Sequence, residues 1–144
     1  IFSRSLELKI ALTDKTRVKI IESLIKNKDI EGVIDYRIFN LSPGSFLLFN
    51  EIIHQYNLDL NEDYLVNFEK LLDLYKRNKN IIYINLILFL TDFYFHNLNE
   101  KNAESFERII ENKTFIVKNI NKFVVYNLNQ KSIINAINNK LSNG

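Results

Sequence analysis

The hydrophobic positions change period once, near the start of the chain. Leu6, Leu8 and Ile10 alternate with Glu7 and Lys9, which is the period of a half-buried strand. Nothing after residue 11 repeats that alternation. From Thr13 onward the spacing is helical. Val18, Ile21, Leu24 and Ile25 mark a helix that Thr13 caps and that ends near Asn27. A short second helix is expected from Ile30 to Phe39. Ser42-Pro43-Gly44-Ser45 opens the next one. Ser42 can cap it, and Pro43 suits its first position, where a missing N–H costs nothing. Gly44 allows close approach of another backbone. Leu48, Ile52, Ile53 and Tyr56 then form an apolar stripe, so residues 12–58 read as a compact three-helix unit.

Asn57 to Asn61 is a polar junction. Beyond it, Leu65, Phe68, Leu71, Leu72 and Tyr75 predict a helix over about 61–77. An apolar helix over about 81–97 follows. A long helix over about 101–126 carries Phe106, Ile109, Ile110, Ile116 or Val117, Ile120 and Val124 on its apolar side. The last, over about 130–141, carries Ile133, Ile134, Ile137 and Leu141. Short connections between amphipathic helices predict an antiparallel bundle over residues 59–144. The fold class is therefore all-α, with one leading strand over residues 1–11. A lone strand leaves its backbone groups unpaired. That strand reads as the last of a sheet-containing domain, and the chain as the C-terminal part of a longer protein.

Composition narrows the picture. The 144 residues are 47% hydrophobic and 25% charged, which suits an ordinary globular domain or two small helical ones. Three Gly and one Pro leave little room for turn-rich β architecture. Without Cys there is no disulfide framework and no zinc–thiolate site, in keeping with a cytoplasmic protein. A net charge of +2 does not by itself mark a nucleic-acid binder. The most apolar run, Ile81 to Leu98, is interrupted by Asn85, Asp92 and His96. A charge near the middle of a span is costly, so a helix buried on most faces is expected there, and no membrane partner.

The residues give no self-contained active site. His54 and His96 are the two histidines, far apart and each expected to be structural. No His-Glu-x-x-His, Gly-rich phosphate loop or nucleophile elbow occurs. Glu69/Asp73 looks like an ordinary solvated face. Phe89, Phe93, Tyr94 and Phe95 are the densest aromatic cluster, expected mainly as core, with interface anchoring by one or two of them. The cations from Lys70 to Lys79 read as a solvated helix end. A helix-turn-helix over 14–57 is disfavoured, because its second and third helices carry only Arg37 as a cation between Asp29 and Gln55.

Arg4 is the exception. Ile1-Phe2-Ser3-Arg4-Ser5, then the alternating strand, then Leu12-Thr13-Asp14 opening a helix, resembles the Ser-Arg-Cys segment of clamp-loader ATPases. Leu41-Ser42-Pro43-Gly44-Ser45 falls where that family's lid begins a helix. The order and spacing resemble the delta-prime family of the bacterial DNA polymerase III clamp loader. Asn127-Leu128-Asn129-Gln130-Lys131 is similar to the polar turn before that family's last helix. The pattern spans the chain, but only the two short motifs match residue by residue. Ser5 stands where the family usually has Cys, and no Arg follows Gly44-Ser45.

The resemblance implies a helical lid over 12–58 and a helical collar over 59–144 behind a truncated AAA+ core. It implies a subunit that does not hydrolyse ATP itself. Arg4, flanked by Ser3 and Ser5, would act as an arginine finger on ATP bound by a neighbouring gamma/tau subunit. A guanidinium supplied in trans is worth about 10³–10⁵ in rate in well-studied NTPases. No cofactor or metal site is implied in this chain. The implied partners are the gamma/tau and delta subunits and, through the complex, the sliding clamp and primer–template DNA. As a component of the polymerase III holoenzyme the chain would lack a complete active site. A generic helical interaction domain of another AAA+ protein or regulator is the competing reading.

Overall fold

A computed structural model of the protein describes residues 11–101 and 104–142. Among them are six helices: α1 (Asp14–Lys28), α2 (Pro43–Gln55), α3 (Tyr64–Asn78), α4 (Ile81–Glu100), α5 (Phe106–Tyr126) and α6 (Gln130–Ser142). No strand occurs among the described residues. The strand expected over 1–11 lies outside them, save for Ala11, which belongs to no regular element. The chain divides into two compact units, Ile1–Asn57 and Leu58–Gly144.

In the first unit α1 starts at Thr13, whose Oγ1 accepts the Thr16 N–H at 3.3 Å. It stops at Asp29, which adopts the left-handed conformation (φ 50°) and donates its N–H to Ile25 O. Ile21, Ile34, Phe46, Phe49, Ile52 and Ile53 are buried, and the Tyr36 ring meets Phe46 edge-on at 5.8 Å. The expected stripe on α2 is displaced: Phe46, Phe49 and Asn50 take the inner face beside Ile52 and Ile53, while Leu48 is exposed.

The second helix expected over 30–39 is absent. Residues 29–42 form turns and irregular backbone, so this unit has two described helices rather than three. The cause is a set of side chains that serve backbone groups a helix would have used. Asn50 Oδ1 accepts the Val33 N–H at 2.9 Å. Arg17 Nη1 donates to Tyr36 O at 3.0 Å and to Leu41 O at 3.3 Å. Asp35 Oδ1 accepts the Arg37 N–H at 2.9 Å, a local turn. Arg17 is itself buried and anchored by Asp14 Oδ1, 2.6 Å from Nη2.

In the second unit each helix packs on its neighbour in sequence, and α6 packs back on α3, closing a four-helix arrangement. Asp63, Asn80 and Ser105 cap α3, α4 and α5 through their side-chain oxygens. The last of these fixes the start of α5 at Phe106, later than the spacing predicts. α4 is long and apolar enough to cross a membrane. Its Tyr83, Ile84, Leu86, Ile87, Phe89, Leu90, Thr91 and Phe95 are buried inside the unit. On α5 the buried row is Ile109, Asn112, Ile116, Ile120 and Phe123. Phe106 and Ile110 are exposed. An unbroken three-and-four spacing through Asn112 thus takes precedence over the purely apolar row.

Polar ties cross between helices. Gln130 Nε2 donates to Asp73 Oδ1 at 2.6 Å, joining α6 to α3, so Asp73 is more than part of a solvated face. Lys113 pairs with Asp92 at 2.8 Å between α5 and α4. Lys140 on α6 pairs with Glu111 on α5. Asn57, Lys79 and Asn127, like Asp29, turn the chain at positive φ just beyond helix ends.

Candidate functional site

Ser3, Arg4 and Ser5 lie outside the described residues. The second motif is described. Ser42 Oγ accepts the Ser45 N–H at 3.1 Å and stands 2.9 Å from Ser45 Oγ. Pro43 occupies the first turn of α2. The backbone leading to Ser42 is held by Arg17 of α1 through Leu41 O. A Cβ added to Gly44 would meet nothing within 4 Å. No backbone among the described residues of its own unit makes the close approach that Gly44 permits.

The two histidines belong to different units. His54 on α2 contacts Glu31 O through Nε2 at 2.9 Å, a structural bond that tethers the 29–42 connection, and His96 belongs to α4 in the other unit. Among the described residues no three His, Asp or Glu side chains are grouped to hold a metal ion. Of the cations between 70 and 79, Lys70 pairs with Glu62 at 3.0 Å and Lys79 lies over the Tyr75 ring at 5.6 Å.

The aromatic run on α4 divides by depth: Phe89 and Phe95 are buried, whereas Phe93 and Tyr94 are half-buried. Tyr94 stacks on Tyr64, the first residue of α3, with centroids 4.8 Å apart and planes at 22°. The Tyr64 hydroxyl is 2.8 Å from Thr91 Oγ1. Thr91 donates its own proton to Ile87 O at 2.8 Å, so Tyr64 is the donor to Thr91. Burial pushes the Tyr64 phenol far above its ordinary value of 10.0. Burial also raises the Tyr94 phenol, and the carboxylates of Glu104 and Asp63 add to the rise.

A surface hollow adjoins this tyrosine pair. Its wide part, about 470 Å³, runs between residues 60–63 and the C-terminal half of α4 as far as Lys101. A narrow end of about 50 Å³ reaches Asn67, Leu90 and Phe93. Leu60, Glu62, Tyr64, Tyr94 and Asn97 belong to both. Asn67 is buried, and its Nδ2 is committed to Asp59 O at 2.7 Å. Its Oδ1 accepts from no donor among the described residues. A buried acceptor left unserved is costly, which marks it for attention.

The spacing of residues did not reveal this hollow, which joins segments about thirty positions apart. The available signal was the polar Asn67 beside Phe68 on α3, at a position that proves buried. No family model, curated protein or solved structure matches the chain.

Proposed function

We propose that the chain is the lid and collar portion of a clamp-loader delta-prime subunit, acting in the cytoplasm during DNA replication. It binds no nucleotide itself. Arg4 reaches the ATP held by a neighbouring gamma/tau subunit. Its planar, always-charged guanidinium stabilises charge on the transferring phosphoryl group, a role Lys fills poorly. The four helices α3–α6 form the collar that holds the subunit in a ring with gamma/tau and delta. ATP binding in that ring prepares it to open the sliding clamp and engage primer–template DNA.

The observation that carries this reading is an order of features. A Ser-Arg-Ser motif and an alternating segment precede a Thr13-capped helix. A Ser-Pro-Gly-Ser helix start follows in the same small unit, and a separate four-helix unit comes next. The missing Arg after Gly44-Ser45 supports a subunit that does not hydrolyse ATP. The open space above Gly44 is compatible with a neighbour's backbone.

The irregular 29–42 connection, where a lid helix was expected, favours a second reading: a helical interaction module of another ATPase or regulator. One experiment separates the two. Full-length protein carrying Arg4→Ala is mixed with the other clamp-loader subunits. Assembly is followed by size-exclusion chromatography, and clamp- and DNA-stimulated ATP hydrolysis is measured. The expected result is normal assembly with hydrolysis reduced at least about tenfold, against the about 10³–10⁵ that a trans guanidinium contributes in well-studied NTPases. If wild-type protein does not assemble with those subunits, the interaction-module reading replaces this one.

A further inference from the structure

We propose that the hollow between residues 60–63 and α4 binds a guanidinium group, the side chain of an arginine presented by a partner protein. This site stands independently of the clamp-loader reading.

The case begins with the unserved acceptor. Asn67 borders the narrow end and has its nitrogen on Asp59 O; its oxygen is enclosed and meets no donor among the described residues, so a ligand's donor reaches it only as the lining shifts. The other polar groups around that end are the Glu62 carboxylate and the Asn97 amide, which can also present an oxygen. The walls are aromatic, from Tyr64, Phe93 and Tyr94. Acceptors combined with ring faces suit a flat cation that has five donors and no acceptor. An anion would meet Glu62 and Asp63; the cation beside the narrow end, Lys70, is already paired with Glu62, and Lys101 borders only the wide part. A lysine ammonium would satisfy the acceptors but is compact and strongly hydrated, and it uses flat walls less well than a guanidinium.

Size agrees with this assignment. The narrow end, about 50 Å³, holds the head of one side chain, and the wide part, about 470 Å³, holds its stem and adjacent backbone. Glu62 is already paired with Lys70, but the pair is exposed and weak, and a carboxylate has lone pairs for a second donor. Peptide linkage of the arginine also follows from charge. Free arginine would bring its own carboxylate beside Glu62 and Asp63, whereas a residue within a chain carries none there.

The test is an NMR titration of the whole chain with N-acetyl-arginine amide, observing the side-chain amides of Asn67 and Asn97 and the backbone of Tyr94. The expected result is saturable shifts with Kd on the order of 1 mM, the scale for a ligand of that size. Glu62→Gln and Tyr94→Leu should each weaken binding at least about fivefold, Glu62→Gln with the remaining spectrum unchanged. Glu62 lies outside every helix, so its variant tests binding even if Tyr94→Leu perturbs packing. N-acetyl-citrulline amide, the uncharged isostere, should give no saturable shift, and free arginine should bind several-fold more weakly. Equal binding of the citrulline compound overturns the cation assignment. Tighter binding of free arginine overturns the partner-protein source. Absence of any saturable shift reduces the hollow to a hydrated notch and overturns the proposal.

Discussion

Two connections between helices differ sharply. From α1 to α2 the chain uses residues 29–42; from α3 to α4 it uses only 79 and 80. The long connection buries Ile34 and is held by polar side chains reaching out of helices, Arg17 from α1 and Asn50 from α2. The short one needs no such help. Lys79 turns at φ 53° with its N–H on Tyr75 O, and Asn80 caps α4 at once. The second unit then rests on aliphatic and aromatic packing around α4, where Leu86 and Ile87 are fully buried. The long connection therefore depends on a few directional bonds, whereas the helices around α4 depend mainly on many non-directional contacts. The two should fail differently.

The largest effect is expected from Leu86→Ala. Truncating a fully buried leucine leaves a cavity and costs about 2–5 kcal/mol. Hydrogen exchange should show protection lost across α3 to α6 together. Exchange confined to the turns around residue 86 would break the picture of one cooperative core. A smaller, more local loss is expected from Asn50→Ala, which removes the acceptor for Val33 N–H and the donor to Phe46 O. Stranding those groups costs about 1–3 kcal/mol. The Val33 amide should exchange much faster, with residues 30–41 affected before α2 melts. Unchanged exchange at Val33 would show that the connection is held by its apolar residues instead.

The smallest effect concerns α5 and α6. The hydrogen bond from Lys140, and then its charge, hold the exposed Glu111 carboxyl below its ordinary 4.5. A carboxylate with a lowered folded-state pKa stabilises above its unfolded value, and that contribution fades as pH falls through the folded one. Lys140→Met should return the Glu111 titration toward 4.5 by NMR. It should also flatten the loss of α6 protection on acidification below about pH 4.5. An unmoved Glu111 titration would mean the pair is not formed in solution.

How much of this was legible in the sequence follows from the range of each interaction. Thr13, Ser42 and the 79–80 connection act within a turn of their own position, so caps and most helix limits were readable there. The segment 30–39 misled because Ile30, Val33 and Ile34 mimic helical spacing. What prevents the helix are bonds from Arg17 and Asn50, 17 to 24 positions away. The inward row of α5 was misplaced for a related reason, since Asn112 is polar yet buried and no apolar pattern includes it. The Ser42–Ser45 helix start was visible as local chemistry. The tyrosine pair was not, because Tyr64 and Tyr94 meet only once α3 lies against α4.

Among the described residues, four corners are turned at positive φ by Asp29, Asn57, Lys79 and Asn127, where glycine is the usual occupant. A side chain in that conformation costs on the order of 1 kcal/mol, less for Asn and Asp than for Lys. Glycine at such a corner would relieve that cost while giving the unfolded chain more freedom to lose. Asparagine and aspartate, which visit this conformation more readily than lysine, hold three of the corners, so Lys79 is the corner where local strain is least relieved by the side chain itself.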